Sequence, residues 1–400
     1  MKAAISKVEE KRVLLFCNFE LPESCANAKR VFSFAKMLRD NGVKVEMLGV
    51  THKEGEIDLS GKYDGFSYQM IYAPEMHGIK ALKRTHILEE KLTEVLEKFG
   101  SSLDAVIISN VYFDFSRQLL SYSKKYRIPI FVNSVEWYDK NSDLFKGFSG
   151  KLRYLQNRYA LIHIHKKMRN IITISSLLGD YYSHRGCNTC TIPTLVDMHE
   201  YSSLRKKSDG GLRIAYAGSP AKKDYVVNAV RALCLLNDDE RSGLTLHFYG
   251  ATVDDFIKLG LTEPEIEATR ESVVFHGRIP HAEVRYRVAE ADFTVLLRPN
   301  KRYANAGFPT KVGESMACGT PVITNLTSDL SRYVIDGVTG IVCENESAEA
   351  CARAFRRALS LPSKSIGKMA AASREMAEGN FDYRNYSATL VQLIRTASVA

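Results

Sequence analysis

From residue 13 the chain alternates short, β-rich apolar runs with longer stretches of helical periodicity, and after residue 211 the same alternation begins again. Strands separated by helix-length connections are returned parallel to one another, and near-continuous apolar strands are those buried on both faces. In the first half Val13–Cys17, Val43–Val50, Ala105–Ser109, Ile128–Val132 and Ile171–Ser175 read as strands. Ala26–Asp40, Ile79–Phe99 and Tyr112–Tyr126 carry apolar residues at helical spacing. In the second half the strands are Leu212–Ala217, Leu244–Tyr249, Val273–His276, Phe293–Leu297, Pro321–Thr324 and Gly340–Cys343. Between the halves, residues 202–211 are small, polar and end in two glycines, which reads as a linker. The expected fold class is therefore α/β: two domains built on parallel sheets and joined in the middle, with a place for a ligand between them. The expected boundaries are an N-terminal domain over 1–200, a C-terminal domain over 201–380 and a terminal helix over 381–400.

Four hundred residues with 45% hydrophobic and 25% charged side chains suffice for two cores and exclude collagen-like, disordered and disulfide-scaffold classes. No apolar run reaches the 18 residues that a membrane span needs and no signal peptide is expected, so the expected location is cytoplasmic. The eight cysteines are scattered, as free thiols in a reducing compartment are. Only Cys187 and Cys190 with His184 imitate half a zinc site, and with no second pair at ligand spacing no metal or other cofactor is expected. Lys plus Arg exceed Asp plus Glu by 55 − 46 = 9, which favours anionic partners. No G-x-G-x-x-G follows either first strand, which disfavours a dinucleotide-dependent dehydrogenase. No nucleic-acid reader motif organises the basic residues, and no nucleic-acid partner is expected.

The run Gly307-Phe308-Pro309-Thr310-Lys311-Val312-Gly313-Glu314 places a Gly-containing loop before a helix starting near Thr310. Free N–H groups and the positive end of the helix dipole make such a terminus an anion site. Lys311 adds a cation where the dipole disfavours one unless an anion is there to meet it, and Glu314 one turn on can accept hydroxyl hydrogen bonds. A second strand-to-turn segment, Tyr216-Ala217-Gly218-Ser219-Pro220-Ala221-Lys222-Lys223, repeats the same logic.

These segments resemble the signature of family 4 retaining glycosyltransferases, which have the GT-B fold. They resemble a bacterial polysaccharide-assembly subgroup reading Gly-Phe-Pro-Thr-Lys, and the resemblance implies two Rossmann-like domains whose parallel sheets face across an interdomain cleft, with a last helix, over 381–400 here, that crosses back to the first domain. The resemblance implies donor-binding roles for Gly218, Ser219, Lys222, Lys223, Gly307, Phe308, Pro309, Thr310, Lys311 and Glu314, with Glu314 on the ribose and a basic residue, Lys222 or Lys223, on the diphosphate. The donor-sugar glutamate of most members falls on Ala306 here. Phe275-His276-Gly277-Arg278-Ile279-Pro280 resembles the turn whose backbone holds the nucleobase, which adds Arg278 and Ile279. Ser24, Ala26 and Asn27 follow the first strand where the family has a Gly-rich loop, and proximity to the cleft is expected of them. Glu136, in Asn133-Ser134-Val135-Glu136-Trp137-Tyr138, stands where many members have a histidine near the reacting carbon, and a capping or salt-bridging role remains open for it. Glu136, Lys311 and Lys223 are the candidate catalytic set.

Lys146 to Arg169 holds seven basic residues, no acidic one and interleaved Phe, Leu, Tyr and Ile. This segment fits either a helix packed on the sheet or an anionic membrane surface, including the inner face of the plasma membrane. The implied activity is metal-independent, retaining transfer of a sugar from a nucleotide diphosphate donor to a glycan or lipid-linked acceptor, as in capsule or exopolysaccharide synthesis. A nucleotide-sugar 2-epimerase and a non-catalytic glycosyltransferase-like scaffold remain the alternatives.

Overall fold

The computed structural model describes residues 11–22, 26–53, 59–74, 80–110, 113–138, 140, 147–202, 211–220, 223–397 and 399. The chain forms two compact units: Met1–Ile192 with Tyr383–Ala400, and Pro193–Asp382. Both are sheets wrapped by helices, as the alternation requires.

The first unit holds β1 (Arg12–Cys17), β2 (Lys44–Thr51), β3 (Ser60–Tyr63), β4 (Phe66–Tyr72), β5 (Ala105–Ser109), β6 (Ile130–Ser134), β7 (Asn170–Thr173) and β8 (Asn188–Thr191). Their order is β3-β4-β2-β1-β5-β6-β7-β8, parallel throughout except for the β3–β4 hairpin. β1, β5, β6 and β7 are buried almost residue for residue, which is why they read as unbroken apolar runs. The hairpin and β8 were not among the expected strands. Ser60–Tyr63 and Asn188–Thr191 lie at the two edges of the sheet and are largely polar, so neither carries an apolar pattern.

The C-terminal segment belongs to this first unit. A tight turn over Tyr383–Tyr386 leads into the helix Ser387–Arg395, which packs against the helix Ala26–Arg39. The Tyr383 hydroxyl donates to Asp40 Oδ2 at 3.1 Å. A continuous helix from Phe381 was expected, but the helix Ser363–Asn380 ends there, and Phe381 is instead a fully buried side chain of the second unit.

The second unit holds β9 (Leu212–Ala217), β10 (Leu244–Tyr249), β11 (Val273–Gly277), β12 (Phe293–Leu296), β13 (Val322–Asn325) and β14 (Gly340–Cys343) in the order β11-β10-β9-β12-β13-β14, all parallel. The chain moves outward from β9 to β11 and then returns to β12 on the other side of β9. β9 and β12 therefore flank a topological switch point, and the crevice outside the carboxyl ends of such strands is where open α/β sheets bind ligands. Of the expected linker, residues 203–210 lie outside the described residues.

Candidate functional site

Three glycines line the carboxyl edge of β9, β10 and β11. Gly218, Gly250 and Gly277 have φ of +131°, +92° and +62°, a region that L side chains rarely adopt. Backbone bonds tie them together, Gly218 N–H to Tyr249 O at 2.8 Å and Gly250 N–H to Gly277 O at 2.7 Å. Gly250 was not foreseen, since a lone glycine after a strand reads only as a turn.

Ile279, just beyond, packs on the small core formed by Ala215, Tyr249 and Ala291, while Arg278 is exposed. Beside this turn three rings stack. His276 lies 4.3 Å from Tyr249 and 5.3 Å from His247, and His247 Nδ1 shares a hydrogen bond with His276 Nε2 at 3.0 Å. Burial, then the nearby Arg213 and His276, pull the His247 imidazole down to about 4.

Across the switch point stands the helix Thr310–Ala317. Pro309 occupies its N-cap, where no side chain bonds to the first turn. The N-terminal N–H groups are thus not satisfied in the usual way by a Ser, Thr or Asp. The other end is fully closed. Gly319 (φ +71°) donates to Met316 O at 2.9 Å and Thr320 to Ser315 O at 3.0 Å, and Arg374 Nη1 donates to the carbonyls of Ala317 and Tyr201 at 2.8 and 2.9 Å.

This helix is seated tightly. Ser315 Oγ bonds Thr294 Oγ1 of β12 at 2.6 Å and donates to Thr320 O at 2.7 Å. A Cβ on Gly313 would lie 2.5 Å from Thr194 Cγ2, so glycine is what lets the helix approach the chain there. Phe308, buried just before the helix, packs edge-on to Tyr333 at 5.6 Å and against Phe381 at 5.8 Å, which anchors the Gly307–Pro309 loop.

Lys311 does not pair with Glu314 in the i,i+3 manner that its helix would allow. Its Nζ donates to Asp224 Oδ2 at 2.9 Å and lies 5.2 Å from the centroid of the Tyr216 ring. A Cβ on Gly218 would stand 2.6 Å from Lys311 Cε, so the side chain passes directly over the glycine turn. The Tyr216 hydroxyl also donates to Asp224 Oδ2, at 3.1 Å. Arg298, from the loop after β12, brings Nε to 3.7 Å from Asp224 Oδ1. Burial by itself would raise the Asp224 carboxyl, but Lys311 and then Arg298 outweigh it, and the group sits below the ordinary aspartate value.

The structure therefore brings Gly218, Ser219 and Lys311 into one place, with the Ser219 carbonyl 3.4 Å from the Tyr216 hydroxyl. Glu314 is half-buried on the same helix as Lys311, Thr310 opens that helix, and Lys223 is exposed in the turn before Asp224. Ala306 is fully buried at the end of the short helix Arg302–Ala306. Lys222 and Ser24 lie outside the described residues. Ala26 starts the helix Ala26–Arg39 of the first unit, and Asn27 is half-buried in its first turn. Glu136, also in the first unit, is half-buried after β6 beside Trp137, which is buried between Tyr181 at 4.9 Å and the guanidinium of Arg158 at 5.1 Å.

Asp224, Arg298 and Tyr216 were missed. Asp224 follows two lysines and reads as a solvated charge, and its partner Lys311 is 87 positions away. Their contact follows from the parallel sheet order, which no local pattern announces.

The residues around this edge fall within a recognised family segment, for residues 200–376 match Glycosyl transferases group 1. The matched segment takes in all six strands of the C-terminal sheet. An uncharacterized glycosyltransferase of Methanocaldococcus jannaschii is 21% identical over 213 residues, 50% of this chain and 52% of that protein. The chain thus aligns with about half the length of that curated relative. Among solved structures, sucrose-phosphate synthase of Thermosynechococcus elongatus is similar with a TM-score of 0.74 at 16% identity, covering 96% of this chain and 98% of that one. HepE of Anabaena, in complex with UDP and glucose, is similar at 0.65 and 14%, covering 97% and 100%. Together with the two parallel α/β units, these likenesses show the GT-B fold.

Proposed function

We propose that the chain is a retaining glycosyltransferase that moves a sugar from a nucleoside diphosphate donor to a glycan or lipid-linked acceptor in bacterial cell-surface polysaccharide synthesis, acting in the cytoplasm at the inner face of the plasma membrane. The observation that carries this reading is Lys311. From the first turn of a helix whose N-cap makes no side-chain bond, its ammonium reaches across the Gly218 turn to Asp224, at the switch point of a segment that matches the group 1 glycosyl transferases.

In this reading Lys311, the first turn of the helix and the Lys222–Lys223 pair stabilise the charge that develops on the departing diphosphate, the work that other enzymes give to a divalent cation. Glu314 accepts hydrogen bonds from the ribose hydroxyls. The Arg278–Ile279 turn meets the nucleobase, and the flat stack behind it keeps that edge rigid. Glu136 orients the acceptor hydroxyl or stabilises the oxocarbenium-like carbon as the diphosphate leaves.

A panel of UDP-, GDP- and dTDP-sugars screened by thermal shift tests the donor half, because a ligand that binds the folded state raises the melting temperature. One donor is expected to stand out, and Lys311→Ala to abolish its shift and its turnover. If no donor shifts the wild type and none is consumed, the enzyme reading fails. Binding without turnover is the outcome that favours a scaffold, which the missing carboxylate at Ala306 would suit, while interconversion of the donor sugar without transfer marks the epimerase.

The membrane half rests on the helix Gly147–Tyr159. It presents Leu152, Leu155 and Tyr159 at helical spacing, each exposed by about half or more, with Phe113 6.0 Å from Tyr159 and exposed Lys151 and Arg153 beside them. An apolar stripe flanked by cations suits an anionic leaflet, which is also where a lipid-linked acceptor resides. Lys146 lies outside the described residues.

A further inference from the structure

Three charges meet at the switch point of the C-terminal sheet. Among the described residues, the cationic side chains within 4 Å of the Asp224 carboxylate are those of Lys311 and Arg298. Asp224 and Arg298 are each only 5% exposed, whereas the Lys311 side chain retains 31%. The backbone holds this arrangement on both sides. Tyr225 N–H donates to Leu297 O at 2.8 Å, next to Asp224 and Arg298 respectively. Asn325, at the end of β13, brackets Arg298 by accepting from its N–H at 2.9 Å and donating to its carbonyl at 2.7 Å. The guanidinium also donates to Ala304 O at 3.4 Å.

With Asp224 and Lys311 alone the set would be a neutral ion pair, and an arriving anion would have to compete with the carboxylate for the lysine. Arg298 changes that balance. It answers the Asp224 charge from the buried side, which leaves the cluster at +1, and the one member with solvent access is Lys311. An arginine suits this position because its planar fork can donate to Ala304 O while its charge faces Asp224.

We infer that Arg298 is a positioning residue for diphosphate binding: by neutralising Asp224 from below, it leaves the Lys311 ammonium free to leave the carboxylate for a phosphate oxygen. This rests on the reading of the chain as a nucleoside-diphosphate binder. Arg298 touches no ligand itself, and its effect is transmitted wholly through Asp224 and Lys311.

The test is isothermal titration of the full chain with whichever of UDP, GDP and dTDP gives the largest thermal shift, and with the matching nucleoside. Arg298→Met is expected to weaken the diphosphate about tenfold, the loss of one nearby charge at intermediate dielectric, while nucleoside affinity stays within about twofold. Arg298→Lys, which keeps the charge, stays within about threefold of wild type. The paired substitution Arg298→Met with Asp224→Asn restores the net charge of +1 and retains an acceptor oxygen for Lys311 and Tyr216. It is expected to recover affinity to within about threefold, and because it removes the buried carboxylate it also remains informative if Arg298→Met alone does not fold. In a Lys311→Ala background, Arg298→Lys and the paired substitution should leave the diphosphate affinity unchanged.

A paired variant that binds the diphosphate about tenfold or more weaker than wild type overturns the inference. So does a parallel loss of nucleoside and diphosphate affinity, which would mark Arg298 as structural only. Failure of the wild type to bind any of the three diphosphates is a different result, and it removes the functional reading instead.

Discussion

The Cε of Lys311 occupies the space in which a side chain at residue 218 would begin. A Cβ built on Gly218 lies 2.6 Å from that carbon and 3.4 Å from Nζ. Strand end and helix start, 93 positions apart in the chain, therefore share one volume, and the bareness of the glycine is what admits the lysine to Asp224.

Gly218→Ala should act twice. At φ +131° an L residue is strained whatever the space around it, which costs about 1–3 kcal/mol of stability in the C-terminal unit. The methyl also displaces the flexible Lys311 tail, so donor affinity should fall by about tenfold, the loss of one charge-assisted contact. Chemical denaturation and calorimetry read the two separately. An alanine variant that is less stable yet binds the donor normally would remove Lys311 from the anion site.

A different clash governs how the helix Thr310–Ala317 is seated. A Cβ at position 313 would lie 2.5 Å from Thr194 Cγ2 and 3.5 Å from Phe381 Cδ2. Gly313→Ala improves intrinsic helix propensity by nearly 1 kcal/mol but overpacks a buried contact by about 1–3 kcal/mol, so a net loss is expected. Thr194→Ser deletes the methyl that would be struck. Combined with Gly313→Ala it should recover most of the stability, as measured by denaturant midpoint at constant slope. If the serine gives no rescue, the close approach is not what selects glycine here.

Much of this architecture was legible along the chain, and the reason is burial. β5 is enclosed on every residue, and Ala105–Ser109 could be read off as an apolar run with its bounds intact. The same holds for Leu212–Ala217 and Leu244–Tyr249, whose partners on both sides cover them. The edge strands Ser60–Tyr63 and Asn188–Thr191 hid because one side of each has no neighbour and their side chains are mostly polar. At the candidate site, Lys311 was visible because a cation in a first turn is a local anomaly, and Gly218 because two lysines follow its turn. Asp224 and Arg298 break no local rule. Their significance lies in being brought to one point by strands that are adjacent in the sheet but distant in sequence.

The stacked histidines make stability pH-dependent in a direction that can be worked out. His247 has an ordinary value of 6.5 and is drawn down to about 4 in the folded chain, by burial first and then by Arg213 and His276. Burial, Arg287 and Arg213 lower His276 as well. A depressed folded-state value means that unfolding takes up a proton. The stabilising contribution of neutral His247 is complete above about pH 6.5 and is lost as pH falls toward about 4. At pH 5 the loss has a ceiling of about 2 kcal/mol, less what solvent screening removes at this half-buried ring. His247→Gln keeps a hydrogen-bonding group opposite His276 but cannot titrate. Denaturation at pH 7.5 and pH 5 should show a smaller acid-side loss in the variant, and an equal loss in both proteins would acquit His247.

Membrane docking is tested at the exposed stripe. Leu155 is 61% exposed and Leu152 48%, on a helix whose neighbouring Lys151 and Arg153 point to solvent. Burying two leucines in the headgroup boundary supplies about 2–4 kcal/mol, and each basic group near an anionic surface adds about 1 kcal/mol. In the proposed docking the two contributions act together, since neither alone holds a protein of this size firmly. Flotation with anionic vesicles should therefore carry the wild type upward at low salt. Leu152→Glu with Leu155→Glu should abolish flotation, and neutralising Lys166, Lys167 and Arg169 should weaken it and reduce its salt dependence. Nucleotide-donor binding, which the proposed function assigns to the other unit, is expected to survive both sets of changes. Flotation that ignores lipid charge, or that persists after the leucines become glutamates, would show that this stripe is not the docking surface.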